Sequence, residues 1–390
     1  MFHVEHGGGT APGHRSQQGS GRPRFRLEVP ATRVQPSMSL TEINITHVRC
    51  LREAELHLPP KLALIFGANG SGKTSILEAV FLLGRGRSFR TRNNSRLITR
   101  DKNYCRVIGQ VEQPTGVTDT VGIEVRPERT VARISGRDVG SLAELSPVFA
   151  VQVIEPGVHR LVEEGGHRRR RWLDWAVFHV EPRFVETWLQ YTRALKQRNA
   201  ALKQPGSDAT VWEPELARLG ELITVSRQNL LTRLMPYWRE TVISLSGLEV
   251  DLQYQRGWSQ DQPLSRALAA SRPRDLARQL THVGPHRADV AVRLHGQPAR
   301  EVLSRGQQKL VAAAMTLAQL ELLKEATALT PTLLLDDPAA ELDGEHLERF
   351  LSQVTHLRCQ LVVTSLHAES RLFGAPERTF RVEEGRVHPV

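Results

Sequence analysis

Gly67-Ala68-Asn69-Gly70-Ser71-Gly72-Lys73-Thr74 is the stretch of this chain whose residue types and spacing speak most directly of chemistry. It matches G-x-x-x-x-G-K-[ST] in full. Glycines let a backbone wrap an anion with its N–H groups turned inward. The helix that should follow would present its positive end to the same anion. The Lys73 ammonium suits the β- and γ-phosphates of ATP, and the Thr74 hydroxyl suits Mg²⁺. Gly67, Asn69, Gly70, Ser71, Gly72, Lys73 and Thr74 are therefore the expected nucleotide-binding residues. Ser75, next in line, has no assigned role.

Leu333-Leu334-Leu335-Asp336-Asp337 supplies what a phosphate loop needs opposite it. An apolar strand would end at Asp336, which can hold Mg²⁺ through water. Asp337 is placed to orient or deprotonate the attacking water. A paired acid after a strand can also be a helix cap; the phosphate loop upstream favours the catalytic reading. Upstream of this pair, Leu303-Ser304-Arg305-Gly306-Gln307-Gln308 opens a long helical pattern, a second place where an anion could sit. Lys73, Asp336 and Asp337 form the expected catalytic set, with Thr74 and Asp336 as the metal ligands.

These residues require particular elements to position them. LTEINI, AELHL and KLALIF read as strands, the last apolar throughout as expected of a strand buried on both faces. It leads into the phosphate loop, after which SILEAVFLLGRG reads as a helix. Residues 105–155 look strand-rich, and about 158 to 280 mostly helical and charged. After about 284 come a long helix (GQQKLVAAAMTLAQLELLKEA), a buried strand (TLLLDD), a helix (GEHLERFLSQVTHL) and a strand (QLVVTS). The expected fold is α/β: a head of mixed sheet and flanking helices from 38–155 and 284–390, with a mostly helical lobe, 156–283, inserted. Residues 1–37, rich in Gly, Pro, Ser, Gln and Arg, read as a disordered extension, or as a misassigned start with Met38 the initiator.

The chain has 390 residues, 40% of them apolar, and a net charge of +10. That charge favours polyanionic partners, nucleic acid before an anionic membrane surface. Three scattered cysteines suggest neither zinc nor disulfides and fit a reducing cytoplasm. No apolar run is long enough for a transmembrane helix, and no secretory signal is evident. Basic candidates for phosphate contact are the run His167-Arg168-Arg169-Arg170-Arg171, and Lys196, Arg198, Lys203, Arg272, Arg274 and Arg278. Four successive helical arginines point around a full turn, so some should pair with acids such as Glu163, Glu164 and Asp174. Trp172 and Trp175 read as core. No recognition helix, zinc finger or stacking platform is visible.

Taken in order, the three ATP motifs resemble those of ABC-type ATPases. Ser304, Gly306 and Gln307 resemble the L-S-G-G-Q signature, with Arg305 in place of its first glycine. Many such ATPases carry Glu where this chain has Asp337, so slow hydrolysis is expected. The interval from Lys73 to Ser304 exceeds that of a transporter domain. It is shorter than in an SMC-type head, and no sustained heptads fill it. GRSFRT (86–91), RRRRWLDWAVFHVEP (168–182), LKQRNA (195–200), VGPHRAD (283–289), SRGQQK (304–309) and LLLDDPAAELD (333–343) together resemble the RecF family of the ABC/SMC-type ATPase superfamily, across 38–390. The resemblance implies a weak, DNA-stimulated ATPase using ATP and Mg²⁺. It also implies a homodimer closed by ATP on duplex or gapped DNA, with RecR and RecO as partners and RecA loading, replication restart and the SOS response as outcomes. It places Gln152 in a Q-loop as a further catalytic residue, against the alternative of a surface Gln at a strand end, and Asp343 at the dimer interface. Arg87 and Arg90 are candidates for phosphate or interface contacts or else surface arginines. A role for His367 as a switch residue stays open. A transporter ATP-binding subunit and a non-repair ABC-type ATPase remain as alternatives.

Overall fold

Alternating and continuous apolar runs sort the strands of this chain into different sheets. The computed structural model describes residues 38–327, 329–340, 342, 344–368 and 372–390. The expectations for residues 1–37 and for Asp343 fall outside the described residues. Strands β1 (Ser39–Val48) and β2 (Leu51–His57) pair antiparallel and turn alternate residues inward. β3 (Leu62–Phe66) differs, since its first four residues are all buried. β4 (Cys105–Glu112), β5 (Thr118–Val125), β6 (Thr130–Ile134) and β7 (Arg137–Asp138) extend the first sheet in the order β2-β1-β4-β5-β6-β7.

The second sheet takes the continuous runs. It joins β3 to β8 (Val151–Ile154), β12 (Thr332–Leu335), β13 (Gln360–Ser365), β14 (Arg378–Glu383) and β15 (Arg386–Pro389), in the order β15-β14-β3-β13-β12-β8. Every neighbouring pair is parallel except β14 with β15. All residues of β12 and β13 are buried, as parallel strands covered on both faces require. Helix α1 (Lys73–Arg85) packs against β1 and β4 of one sheet and β8 and β13 of the other. Only Thr74 and Arg85 of its residues escape burial.

One side chain fastens the two sheets. Gln360 Oε1 accepts from the Leu40 N–H at 2.9 Å and from Thr332 Oγ1 at 2.7 Å. Its Nε2 donates to the Leu40 and Pro59 carbonyls, both at 2.8 Å. All four hydrogen-bonding positions of the buried amide are thereby satisfied.

Between β8 and the final strands lie α2 (Gly166–Val180), α3 (Phe184–Ala201), α4 (Glu213–Ser246) and α5 (Leu264–Arg278). Helix α4 runs along α6 (Arg305–Thr327), and α7 (Gly344–Leu357) packs on both. The helical reading of 158–280 missed β9 (Val250–Gln255), which alternates buried and exposed at the period of a strand. β9 pairs with β10 (Asp289–Leu294), and β10 with β11 (Gln297–Pro298). Among the described residues, no helix is long and apolar enough to cross a membrane.

Arginines expected on the surface turn out to hold this region together. Arg198 is fully buried, donating to Asp275 at 2.8 Å, Thr281 at 2.8 Å and Glu213 at 2.9 Å. It therefore cannot belong to a phosphate-binding stripe, and Arg272 also donates to Glu213, at 2.7 Å. Arg169 grips Asp289 with two bonds of 2.9 Å. Arg168 pairs with Glu164, as expected, whereas Asp174 is taken by Arg227 at 2.7 and 2.9 Å. Trp172 and Trp175 are core residues, as read from the sequence.

Arg198→Ala leaves Asp275 and Glu213 buried without their shared cation. Removing one partner of such a pair costs about 3–5 kcal/mol. The variant should unfold at markedly lower urea concentration; an unchanged midpoint would refute this structural role.

Candidate nucleotide site

The loop 67–72 links the end of β3 to α1 and can be built only with glycine at key points. Gly67 has φ 155°, and a Cβ there would lie 2.3 Å from the Val382 carbonyl oxygen. Gly72 has φ 122°, with Cys50 and Leu51 side-chain atoms 3.1 Å from any added Cβ. The neighbouring strands thus press on the loop from outside. Gly385, in the β14–β15 turn, donates to the Ser71 carbonyl at 2.9 Å, and Gly67 donates to the Ser365 carbonyl at 3.3 Å.

Inside the loop, Lys73 Nζ donates to the Gly67 carbonyl at 2.7 Å and the Ala68 carbonyl at 3.0 Å. Burial lowers its pKa, against the upward pull of Asp337 and Asp336. Among the described residues, the buried Ser71 hydroxyl has no hydrogen-bond partner. A buried polar atom normally has one, so this hydroxyl, the glycine backbone and the ammonium together fit a phosphate group.

Thr74 and Asp336, the two expected metal ligands, lie side by side. Thr74 Oγ1 lies 3.0 Å from both carboxylate oxygens of Asp336. Thr364, on β13 between β3 and β12, donates to Asp336 Oδ1 at 2.8 Å. The same hydroxyl accepts the Asp337 N–H at 2.9 Å. Burial pushes the Asp336 pKa up, opposed by the hydrogen bonds from Thr364 and Thr74. Asp337 adopts φ 49°, a left-handed conformation that Asp tolerates better than most residues. A hydroxyl beside a buried carboxylate is a hard oxygen donor set of the kind Mg²⁺ takes.

Lys73, Thr74, Asp336 and Asp337 line one cavity of about 650 Å³, with Asn69, Gly70 and Gly72 in its floor. Its rim carries Arg49, Arg90 and Arg96. Fully buried Glu78 holds part of that rim: Arg49 grips it with two bonds of 3.0 Å, and Arg90 Nη1 is 3.9 Å away. Ser88 Oγ donates to Glu78 and accepts the N–H groups of Arg90 and Thr91, at 3.0 and 3.1 Å. Sequence reasoning did not find Arg49, Glu78, Arg96 or Thr364. Only Glu78 carried a signal, as an acid on an otherwise apolar helix face.

Other expected site residues lie elsewhere. Gln152 does not line the cavity, because it is second in β8, opposite Leu333 and short of the strand's end. Pro156, beyond that end, lines the cavity instead. Gln152 donates to Gln319 of α6 at 3.2 Å, and Gln319 donates to the Trp172 carbonyl of α2 at 2.7 Å. Ser304 and Gly306 are exposed at the start of α6, and Gln307 beside them is half-buried; none lines the cavity. Ser304 and Gln307 cap each other reciprocally, at 3.0 and 3.3 Å. Arg90 reaches the cavity rim and Arg87 does not. His367 is exposed and outside the cavity wall.

Glu78→Gln keeps the volume but removes the charge that positions Arg49 and Arg90. Charged hydrogen bonds of this kind are worth about 1.5–3 kcal/mol, so ATP affinity should fall by about tenfold or more. Titration with a fluorescent ATP analogue would measure it, and wild-type affinity would refute the positioning role.

Residues 39–386 match the family described as RecF/RecN/SMC N terminal domain. The DNA replication and repair protein RecF of Pseudomonas putida is 40% identical over 361 residues, covering 90% of this chain and 98% of that protein. The RecF protein of Pseudomonas entomophila is 39% identical over 360 residues, with the same coverage. A solved structure of the recombination mediator protein RecF-ATP in the RecFOR pathway superposes with a TM-score of 0.81. It is 26% identical, covering 92% of this chain and 100% of that one.

Proposed function

The chain belongs to the RecF family of ABC/SMC-type ATPases, and from that premise we propose that it uses ATP to control its hold on DNA. In this reading ATP joins two copies head to head on duplex or gapped DNA, and hydrolysis releases them. The ATPase is weak and DNA stimulates it. Acting with RecR and RecO in the cytoplasm, the protein supports RecA loading in gap repair, replication restart and the SOS response. The names of its relatives, a DNA replication and repair protein and a recombination mediator, support this reading.

The observation that carries it is the junction of Thr74 with Asp336 in a cavity that Ser304 and Gly306 do not reach. The loop N–H groups and Lys73 would hold the β- and γ-phosphates. Thr74 and Asp336 would hold Mg²⁺, which would offset the charge of the phosphates. Asp337 orients the attacking water and takes its proton, and its short side chain favours slow turnover. Ser304, Gly306 and Gln307, exposed at a helix start, are suited to the γ-phosphate bound by a second copy. Gln152 and Gln319 link β8, beside the acid strand, to α2. That linkage gives nucleotide state a route into the region 156–283, which we assign as a lobe inserted in a head made of 38–155 and 284–390.

Lys73→Ala should abolish ATP-dependent dimerisation. Ser304→Arg should leave ATP binding by the monomer intact while blocking the dimer. Sedimentation with and without ATP, alongside nucleotide titration, separates the two. Loss of monomer binding in Ser304→Arg would instead place Ser304 in its own subunit's site.

A further inference from the structure

Beyond the nucleotide cavity, on the far side of the segment Ser88–Thr91, lie two adjoining hollows of about 160 and 430 Å³. Both are lined by Arg87, Ser88, Thr91, Arg92 and Arg171, so they form one groove. One wall is the start of α2 and the other is the turn 126–129 between β5 and β6.

Arginines outnumber acids along the groove. Arg87, Arg92, Arg129, Arg168 and Arg171 line it. Of the acids that line it, Glu155 holds Arg160 at 2.7 Å and Glu128 is exposed on the turn; Glu164, nearby, holds Arg168 at 2.6 Å. Among the described residues, no ion pair reaches Arg87 or Arg171, and Arg92 comes only within 3.9 Å of Glu164. Burial, then the charge of Arg171, drives Arg87 down to about 9, and burial with Arg168 and Arg92 lowers Arg171 in turn. Like charges gathered this way repel unless an anion lies between them.

The form of the groove narrows the choice of anion. Two hollows in series outreach a single phosphate. Phe81 and Trp172 in its wall are each only 5% exposed, and half-buried Phe89 packs perpendicular to Phe81. The groove therefore offers mainly guanidinium groups, and the buried rings of Phe81 and Trp172 are closed to a stacking base.

We infer that this groove seats the sugar–phosphate backbone of DNA, against the same Arg90–Thr91 segment that walls the nucleotide cavity. This rests on the DNA-binding reading above and adds its location. Contacts of this kind hold the backbone without reading sequence. They also place bound phosphate one loop away from bound nucleotide.

The test is the double variant Arg92→Ala with Arg171→Ala. Both residues are exposed, and neither lines the nucleotide cavity. Binding of a fluorescent duplex is followed by anisotropy over a series of salt concentrations. Affinity should fall by about tenfold or more, and the slope of log affinity against log salt should drop by about two, one per lost phosphate contact. ATP binding without DNA should be unchanged, and the Lys/Lys double variant should keep most of the slope. Wild-type affinity and slope in the Ala/Ala variant would overturn the groove and leave the DNA-binding reading standing. A wild-type protein that binds no duplex at any salt would instead remove that reading. Binding of polyglutamate in preference to duplex, lost in the Ala/Ala variant, would overturn the proposal in favour of an acidic protein partner.

Discussion

The contact of Thr74 with Asp336 sets the terms for the rest of this fold. It is a bond of 3.0 Å between residues 262 positions apart. To make it, β12 must end where α1 begins, which requires β3 and β12 to flank β13 in one parallel sheet. Thr364 occupies the matching position on the middle strand and bonds both Asp336 and the Asp337 backbone. Three strand ends and one helix start thus converge on one cavity, the usual place for a ligand in a parallel sheet. The first sheet and the β14–β15 turn then brace the loop from outside.

Arginine performs two different tasks here, and burial separates them. Arg198, Arg227 and Arg169 are interior groups with acids matched to them. They tie α2, α3, α4, α5 and β10 into one body beside α6. Arg49 and Arg90 are fixed by buried Glu78 at the rim of the nucleotide cavity. Among the described residues, Arg87 and Arg171 have no ion pair and Arg92 has only the long one to Glu164. The first kind serves folding, while the second and third are those we propose present charge to a ligand. A net charge of +10 does not distinguish these uses.

The phosphate loop, the acid strand and the helix between them were legible because their signals are local. A loop of fixed glycine spacing, a fully apolar strand and a terminal Asp each declare themselves within a few residues. Glu78 and Arg49 were not legible, since their pairing depends on β1 turning back across α1. Arg198 read as surface because no local feature shows that Glu213 and Asp275 will converge on it. β9 was lost inside a charged, helix-rich region, although VDLQYQ alternates at period two. Gln152 was found in sequence, but its place within β8 aims it at Gln319 rather than at the nucleotide cavity.

The central claim is that two copies share each ATP and that DNA governs the result. Steady-state ATP hydrolysis by the full chain, over a range of protein concentrations with and without duplex DNA, tests it most directly. The account predicts a slow rate that rises more than linearly with protein and increases further on duplex. A rate strictly proportional to protein and indifferent to DNA would contradict it, leaving an ATP site that works alone.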